Sequence, residues 1–346
     1  MQSKIKFKFK WLNAQSKPAS ILSKEAYLDE QFLTLEDKEI QLKTLLVAYP
    51  DRNHLILAME NERQPLIIKF TGGSAKKVLK ELNNRASAER ARWHRQELSR
   101  LGRGNIFSSF ACPFCGFTNE LTGFSTSPQK YCPACDTVIS DGDSNLLYER
   151  HYHRCSSCGT YGRIKTYTCH YYLIFVHAWH TYRECRVCMR SRVALNCLAN
   201  LPFLLGLPLA LYEAVRAYMP AFDPLAGVEA GNNLAKRKKL DMAILRYESL
   251  QQQIRHCATV RYNHALALTT SGRVKEAAKK LEEALSDCAN FRPAYLHLSS
   301  LYESLNLKDR QEALQRVWVQ ASSLAQGRYM LPNTPGTSPA PNPNQR

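Results

Sequence analysis

The chain lacks the short motifs that mark the common catalytic folds. Its 15 glycines build no phosphate-binding loop: Gly72-Gly73 and Gly102-Arg103-Gly104 lack the continuations that Walker and dinucleotide-binding loops require. No Gly-x-Ser-x-Gly elbow and no His-Glu-x-x-His pair occurs. Asp141 and Asp143 sit beside Gly142, where turn formation accounts for them. The reading is therefore not an enzyme. An apolar h-region is also absent from the opening Met1-Gln2-Ser3-Lys4-Ile5-Lys6-Phe7-Lys8, which leads us to expect a reducing, cytoplasmic setting.

What the chain does have is cysteine in pairs. Cys112/Cys115, Cys132/Cys135, Cys155/Cys158 and Cys185/Cys188 are four Cys-x-x-Cys units between positions 112 and 188. A two-residue spacer lets one tight turn present two sulfurs to one ion, and zinc takes four thiolates in a tetrahedral shell. Eight ligands make two complete, closed Zn2+ sites, whose role is structural because no coordination position is left open. Chain-order wiring joins Cys112, Cys115, Cys132 and Cys135 in one site and Cys155, Cys158, Cys185 and Cys188 in the other. A crossed wiring, first pair with third and second with fourth, stays open. A thioredoxin-like redox role would need one such motif on a βαβ unit, whereas these pairs lie in short strand-like segments. Cys169 and the histidines His151, His153, His170, His177 and His180 lie near the second site and are read as strand residues rather than ligands.

The formal charge is +17, distributed as +8 over 1–104, +3 over 105–192, −2 over 193–235 and +8 over 236–346. A nucleic-acid-binding ribbon usually concentrates basic residues on the ribbon itself. The observed distribution suits a general attraction to acidic surfaces, including anionic lipid.

Near the N-terminus, Ile5, Phe7 and Phe9 alternate with lysines, which is strand periodicity. Further strands are expected at Phe32–Leu35, Ile40–Val47, His54–Ala58 and Leu66–Phe70, with turns at 50–53 and 60–64. A helix then starts at Ser74 as N-cap, with Val78, Leu79 and Leu82 as its apolar stripe. Strands closed by a single helix resemble a pleckstrin-homology or GRAM-like domain over roughly residues 20–85. Beyond it, Arg85, Arg90, Arg92, Arg95, Arg100 and Arg103 form a basic helix extension. They face solvent or grip phosphates, and the chain breaks at Gly102-Arg103-Gly104-Asn105.

Tyr167–Tyr182 is rich in aromatics (Tyr171, Tyr172, Phe175, Trp179, Tyr182) and has the length of two ribbon strands. Val193–Tyr212 is 20 residues without a charge, which is long enough to span a bilayer. Asn196, Asn200, Pro202, Gly206 and Pro208 interrupt it, and each proline deletes a helix hydrogen bond. A kinked membrane helix, an interfacial helical hairpin and a buried connector all fit. If a membrane is involved, the hairpin is favoured, because it keeps the ribbons and the C-terminal region on one side.

From about residue 224 the chain repeats at a spacing of 34. Gly231, Ala265 and Ser299 are in register, as are Leu234, Leu268 and Tyr302, and Ala243 with Ala277. Gly272, Glu276-Ala277, Leu281 and Ala284-Leu285 are the most typical stretch of what resembles a tetratricopeptide repeat. In the third unit Gln311 stands where alanine is expected, and Ala313 suggests a small insertion. The resemblance implies stacked helical hairpins whose concave face binds a protein or peptide segment. Candidate partner-binding residues are Asn232, Asn233, Lys236, Tyr262, Asn263 and Tyr295. Cys257 and Cys288 read as buried small hydrophobes. The Pro/Asn-rich tail reads as disordered.

The fold class is thus multidomain α+β. It comprises a β-rich domain with its basic helix (1–104), two four-cysteine zinc ribbons (105–145 and 146–192), an apolar helical segment (193–220), an α-solenoid of three tetratricopeptide-like hairpins (224–328) and a tail (329–346). The order resembles multidomain prokaryotic proteins that supply no catalytic residues to carry over. The functional expectation is a non-enzymatic zinc-binding scaffold or adaptor. It engages a protein through the repeats and sits in the cytoplasm, peripheral or integral to the inner face of a membrane. The alternative is a nucleic-acid-binding zinc-ribbon protein that uses Arg85–Arg103.

Overall fold

The computed structural model describes residues 4–12, 18–51, 54–60, 62, 64–72, 74–140, 152–173, 176–201, 206–219, 227–254 and 256–325. The expected turn at 52–53, His151, Phe175, Pro202, the Asp141/Asp143 pair and the tail lie outside them.

Seven antiparallel strands form the N-terminal sheet: β1 (Ile5–Trp11), β2 (Lys24–Leu28), β3 (Phe32–Leu35), β4 (Lys38–Gln41), β5 (Leu45–Asp51), β6 (His54–Met59) and β7 (Leu66–Gly72). Their spatial order is β4-β3-β2-β1-β7-β6-β5. The unit begins earlier than residue 20, because β1 is its central strand and pairs with both β2 and β7. The run Ile40–Val47 is not one strand. A 3-10 turn at Leu42–Thr44 separates β4 from β5 and sends the chain across to the opposite edge of the sheet.

One helix, α1 (Ala75–Arg100), covers the sheet with Val78, Leu82 and Ala86. Ser74 caps it, with its Oγ accepting from the Lys77 N–H at 3.4 Å. The helix continues through the basic stretch to Arg100, and Gly102 turns the chain at φ +70°. Edge strand β5 still offers outward peptide groups to the helix. Asn83 meets them: its Oδ1 accepts from the Ala48 N–H (2.9 Å) and its Nδ2 donates to the Ala48 carbonyl (2.8 Å). A carboxamide carries one acceptor and one donor side by side, so it exchanges two bonds with a residue as a paired strand does.

Two small ribbons follow. The first holds the hairpin β8 (Ser109–Ala111)/β9 (Thr118–Glu120) and the hairpin β10 (Gln129–Cys132)/β11 (Thr137–Ser140). The second is a three-stranded sheet of β12 (Tyr152–Arg154), β13 (Tyr161–Leu173) and β14 (Val176–Cys185). The aromatic run does form two strands, as its length requires.

The apolar run does not form a single helix. It is divided between α2 (Arg186–Asn200) and α3 (Leu207–Tyr218), which pack on each other and on β13. Pro208 lies in the first turn of α3, where its missing N–H costs nothing. Gly206 is required at the bend, because a Cβ there would come within 2.1 Å of Asn200 Oδ1 and 2.5 Å of Tyr172. Among the described residues no helix is long and apolar enough to cross a membrane.

Six helices complete the chain: α4 (Val228–Lys236), α5 (Leu240–Gln253), α6 (Ala258–Thr270), α7 (Val274–Asp287), α8 (Arg292–Ser304) and α9 (Lys308–Ala325). Lys236, Thr270 and Ser304 end the first helices at a constant spacing of 34 residues, and Leu240, Val274 and Lys308 start the second helices at the same spacing. The third unit therefore keeps register without the expected insertion. Gln311 is tolerated where the earlier units need alanine because it is only half-buried in the terminal hairpin. Gly231 is fixed by close approach, since a Cβ would lie 2.6 Å from the Tyr247 ring. Cys257 and Cys288 are buried in the repeat core, as expected.

Replacing Asn83 with alanine strands both polar groups of the buried Ala48. We expect a loss of about 2–3 kcal/mol, read as a lower urea midpoint, and hydrogen exchange at β5 that rises before exchange in the repeats.

Candidate metal centres

The eight cysteines form two tetrads in chain order, and within each the four Sγ atoms lie within 4.8 Å of one another. The crossed wiring is thereby excluded. Sulfur–sulfur separations of 3.7 Å (Cys112–Cys135), 3.6 Å (Cys115–Cys132) and 3.9 Å (Cys158–Cys185) suit one ion. Tetrahedral Zn–S bonds of about 2.3 Å place ligand sulfurs roughly 3.8 Å apart. The donor set fits a closed, thiolate-only site for a thiophilic divalent metal.

Three of the four pairs are built alike. The residue after the second cysteine turns with positive φ, at Gly116 (81°), Asp136 (57°) and Gly159 (70°), and its N–H returns to the carbonyl of the first cysteine at 2.8–2.9 Å. The fourth pair departs from the strand-like expectation. Cys185 caps α2, and Cys188 lies in its first turn. A helix N-terminus offers free N–H groups and partial positive charge to a thiolate, which does the work of a turn.

Crowding makes the thiols inequivalent. Hydrogen bonding to Cys115 holds Cys112 well below the ordinary thiol range, and Cys158 does the same for Cys155. Cys132 and Cys135 are pushed far above that range by hydrogen bonding to Cys112, and Cys185 and Cys188 by hydrogen bonding to Cys155. A metal that takes all four thiolates must displace protons from the raised sulfurs.

The nearby histidines serve other ends. His153 Nδ1 bonds Thr137 Oγ1 (2.7 Å) and the Cys135 carbonyl (3.0 Å), which joins the second ribbon to the first. His170 and His177 meet each other on the β13–β14 hairpin at 3.1 Å, and His180 packs against Tyr171 and Tyr182. Cys169 is buried against Met189 and Val193, and burial raises its thiol to about 11.

Both ribbons dock on the repeats, and asparagine makes the contacts. Asn263 Oδ1 accepts from the Tyr161 N–H (2.7 Å), and its Nδ2 donates to the Tyr161 carbonyl (2.6 Å). Asn232 Nδ2 donates to the same carbonyl (2.9 Å). One unit further along, Asn290 Oδ1 accepts from the Tyr131 N–H and its Nδ2 donates to the Tyr131 carbonyl, both at 2.8 Å. The tyrosine side chains converge: Tyr131 Oη and Tyr161 Oη both donate to Asp136 Oδ1, at 2.8 and 2.7 Å.

The residues expected to bind a partner thus behave differently from one another. Asn232, Tyr262 and Asn263 are buried against the chain's own Tyr161, and Lys236 donates to the Val187 carbonyl. Tyr295 stacks on Trp318, and it and Asn233 keep solvent access. Asn290, which the sequence reading missed, has no motif around it; Asp136 closes the Cys132/Cys135 pair, where it stands as a non-glycine residue in a glycine-favouring turn.

The basic extension is only partly consumed within the protein. Arg85 is buried between Glu81 and the Leu28 carbonyl, Arg90 reaches the Leu45 and Leu46 carbonyls, and Arg92 and Arg100 pair with Glu89 and Glu97. Arg92, Arg95 and Arg100 stay exposed on α1, and Arg103 is exposed just beyond its end.

No family model matches the chain, and no curated protein does. Among solved structures, MamA of AMB-1 is 21% identical over 41% of this chain and 80% of its own, with a TM-score of 0.25. MamA of MSR-1 is 19% identical over 40% and 76%, with a TM-score of 0.23. Scores this low say nothing about activity or partner.

Cys112→Ser is expected to leave one metal ion per chain where the parent protein binds two, with the first ribbon unfolding and the second keeping its metal. Acidification should release metal from both sites, because protons compete for the thiolates and affinity falls as pH falls. Metal analysis after dialysis across a pH series checks both outcomes.

Proposed function

We propose that this protein is a non-enzymatic scaffold, stapled by two structural zinc ions, whose tetratricopeptide-like repeats hold its own ribbons as one body. That body is presented to a protein partner at a membrane surface. The observation that carries this reading is the set of amide clamps on Tyr131 and Tyr161. Repeats that grip extended backbone through asparagine are built to receive a polypeptide segment, and here two internal strands occupy the position a ligand would take. Zinc supports the arrangement by folding units too small to make a core of their own. Four protein sulfurs per ion leave no position for substrate, in keeping with a structural role. Asn233 and Tyr295 are the repeat residues that remain for an outside protein. The short α2–α3 hairpin and the basic charge support a placement at a membrane surface.

The scaffold reading predicts that the ribbons and repeats unfold together. Asn263→Ala combined with Asn290→Ala should split one cooperative thermal transition into two. Exchange of the Tyr131 and Tyr161 amides should rise at least about fivefold, since each loses a bond worth about 1 kcal/mol or more. A single transition with unchanged exchange would show that the repeats do not hold the ribbons.

A further inference from the structure

The α2–α3 hairpin buries polar side chains on the same inward face as Met189, Val193, Ala210 and Ala217. Asn196 and Asn200 both donate to the His170 carbonyl at 2.7 Å, and Glu213 accepts from the Thr168 N–H at 3.4 Å. These side chains satisfy the outer edge of β13 and are buried there. The outward face carries Leu195 and Leu198 on α2 and Leu211, Tyr212 and Val215 on α3. Trp179 of β14 joins them, and each of the six is 50–65% exposed. A cleft of about 600 Å³, lined by Trp179, Leu209 and Tyr212 among others, connects the strand hairpin with α3. Six large apolar side chains exposed on one small unit are uncommon on a protein that leaves them in water.

Charge selects the occupant. Residues 152–219 contain eight lysines and arginines and two acids, Glu184 and Glu213. Both acids are buried and paired, with Arg192 and Arg216 respectively. The guanidiniums of Arg190 and Arg216 lie over the Tyr218 and Tyr212 rings, at the margin of the apolar face. A second copy of the chain would set cations against cations. An anionic bilayer offers headgroups to the arginines, acyl chains to the leucines and an interfacial layer to Trp179 and Tyr212. Neither helix can span: α2 has 15 residues and α3 has 12.

We infer that the outer face of the α2–α3 hairpin, with Trp179, is a monotopic docking surface for anionic phospholipid bilayers, lying in the headgroup layer. The inference rests on the membrane-surface placement proposed above and names its contact.

The test is co-sedimentation of the full-length protein with vesicles of mixed phosphatidylglycerol and phosphatidylcholine, compared with phosphatidylcholine alone. The parent protein should bind the anionic vesicles, weaken as salt rises, and ignore the neutral ones. Leu198→Glu with Leu211→Glu should cut partitioning at least about tenfold, while metal content and thermal midpoint stay at parent values, because both positions are exposed. Parent binding that the double variant retains would overturn this face as the contact and leave the membrane placement standing. Failure of the parent protein to bind anionic vesicles would overturn both. Equal binding to neutral vesicles would overturn the anionic requirement. A dimer in light scattering that the double variant dissolves, without vesicle binding, would assign the face to a second copy of the chain.

Discussion

A side-chain amide pairing with the N–H and C=O of one strand residue is the interaction on which this architecture depends. It recurs at three strand edges: Asn83 on Ala48, Asn263 on Tyr161 and Asn290 on Tyr131. The sheets are small, and two of the four have only two strands, so most of their strands are edge strands. An edge in a buried interface would strand peptide groups at a cost of about 1–3 kcal/mol each. Asparagine removes that cost without adding a strand, and it ends the sheet at the same place.

The two candidate metal sites are linked through the same contacts. Asp136 belongs to a knuckle of the first tetrad, yet its carboxylate receives hydroxyls from both Tyr131 and Tyr161. Tyr161 is fully buried among Tyr262 and Phe291 of the repeats. The geometry of one metal-bearing turn is therefore communicated to the other ribbon and to the helices by packed and hydrogen-bonded groups. The second tetrad reaches the α2–α3 hairpin more directly, since Cys188 is itself part of α2.

Much of this was legible in local pattern. Cys-x-x-Cys spacing identified all eight tetrad members, the repeat period located α4–α9, and Ser74 marked the start of α1. What was not legible depends on partners distant in sequence. Asn263 reads as a contact for an outside partner and Asn290 as an ordinary repeat residue until Tyr161 and Tyr131, 102 and 159 positions away, are brought against them. Arg85 and Arg90 read as a basic surface because nothing nearby reveals that the carbonyls of Leu28 and Leu45 need donors. Asn196 and Asn200 looked like interruptions of an apolar run, whereas they lie on the buried side of the hairpin. Hydrophobic periodicity does not record that polar side chains can share the buried face with apolar ones.

The long reach of the asparagine clamps has a consequence for synthesis. The strands they hold are made first, and the repeat residues Asn263 and Asn290 emerge more than a hundred residues later. Until then, β10 and the start of β13 present open edges to whatever surrounds the ribosome. Local contacts and metal can shape the ribbons during translation, but docking must wait for the repeats. Maturation thus ends only when the repeats close over the exposed edges. The interval before that closure is when a chaperone or premature aggregation would compete for the molecule.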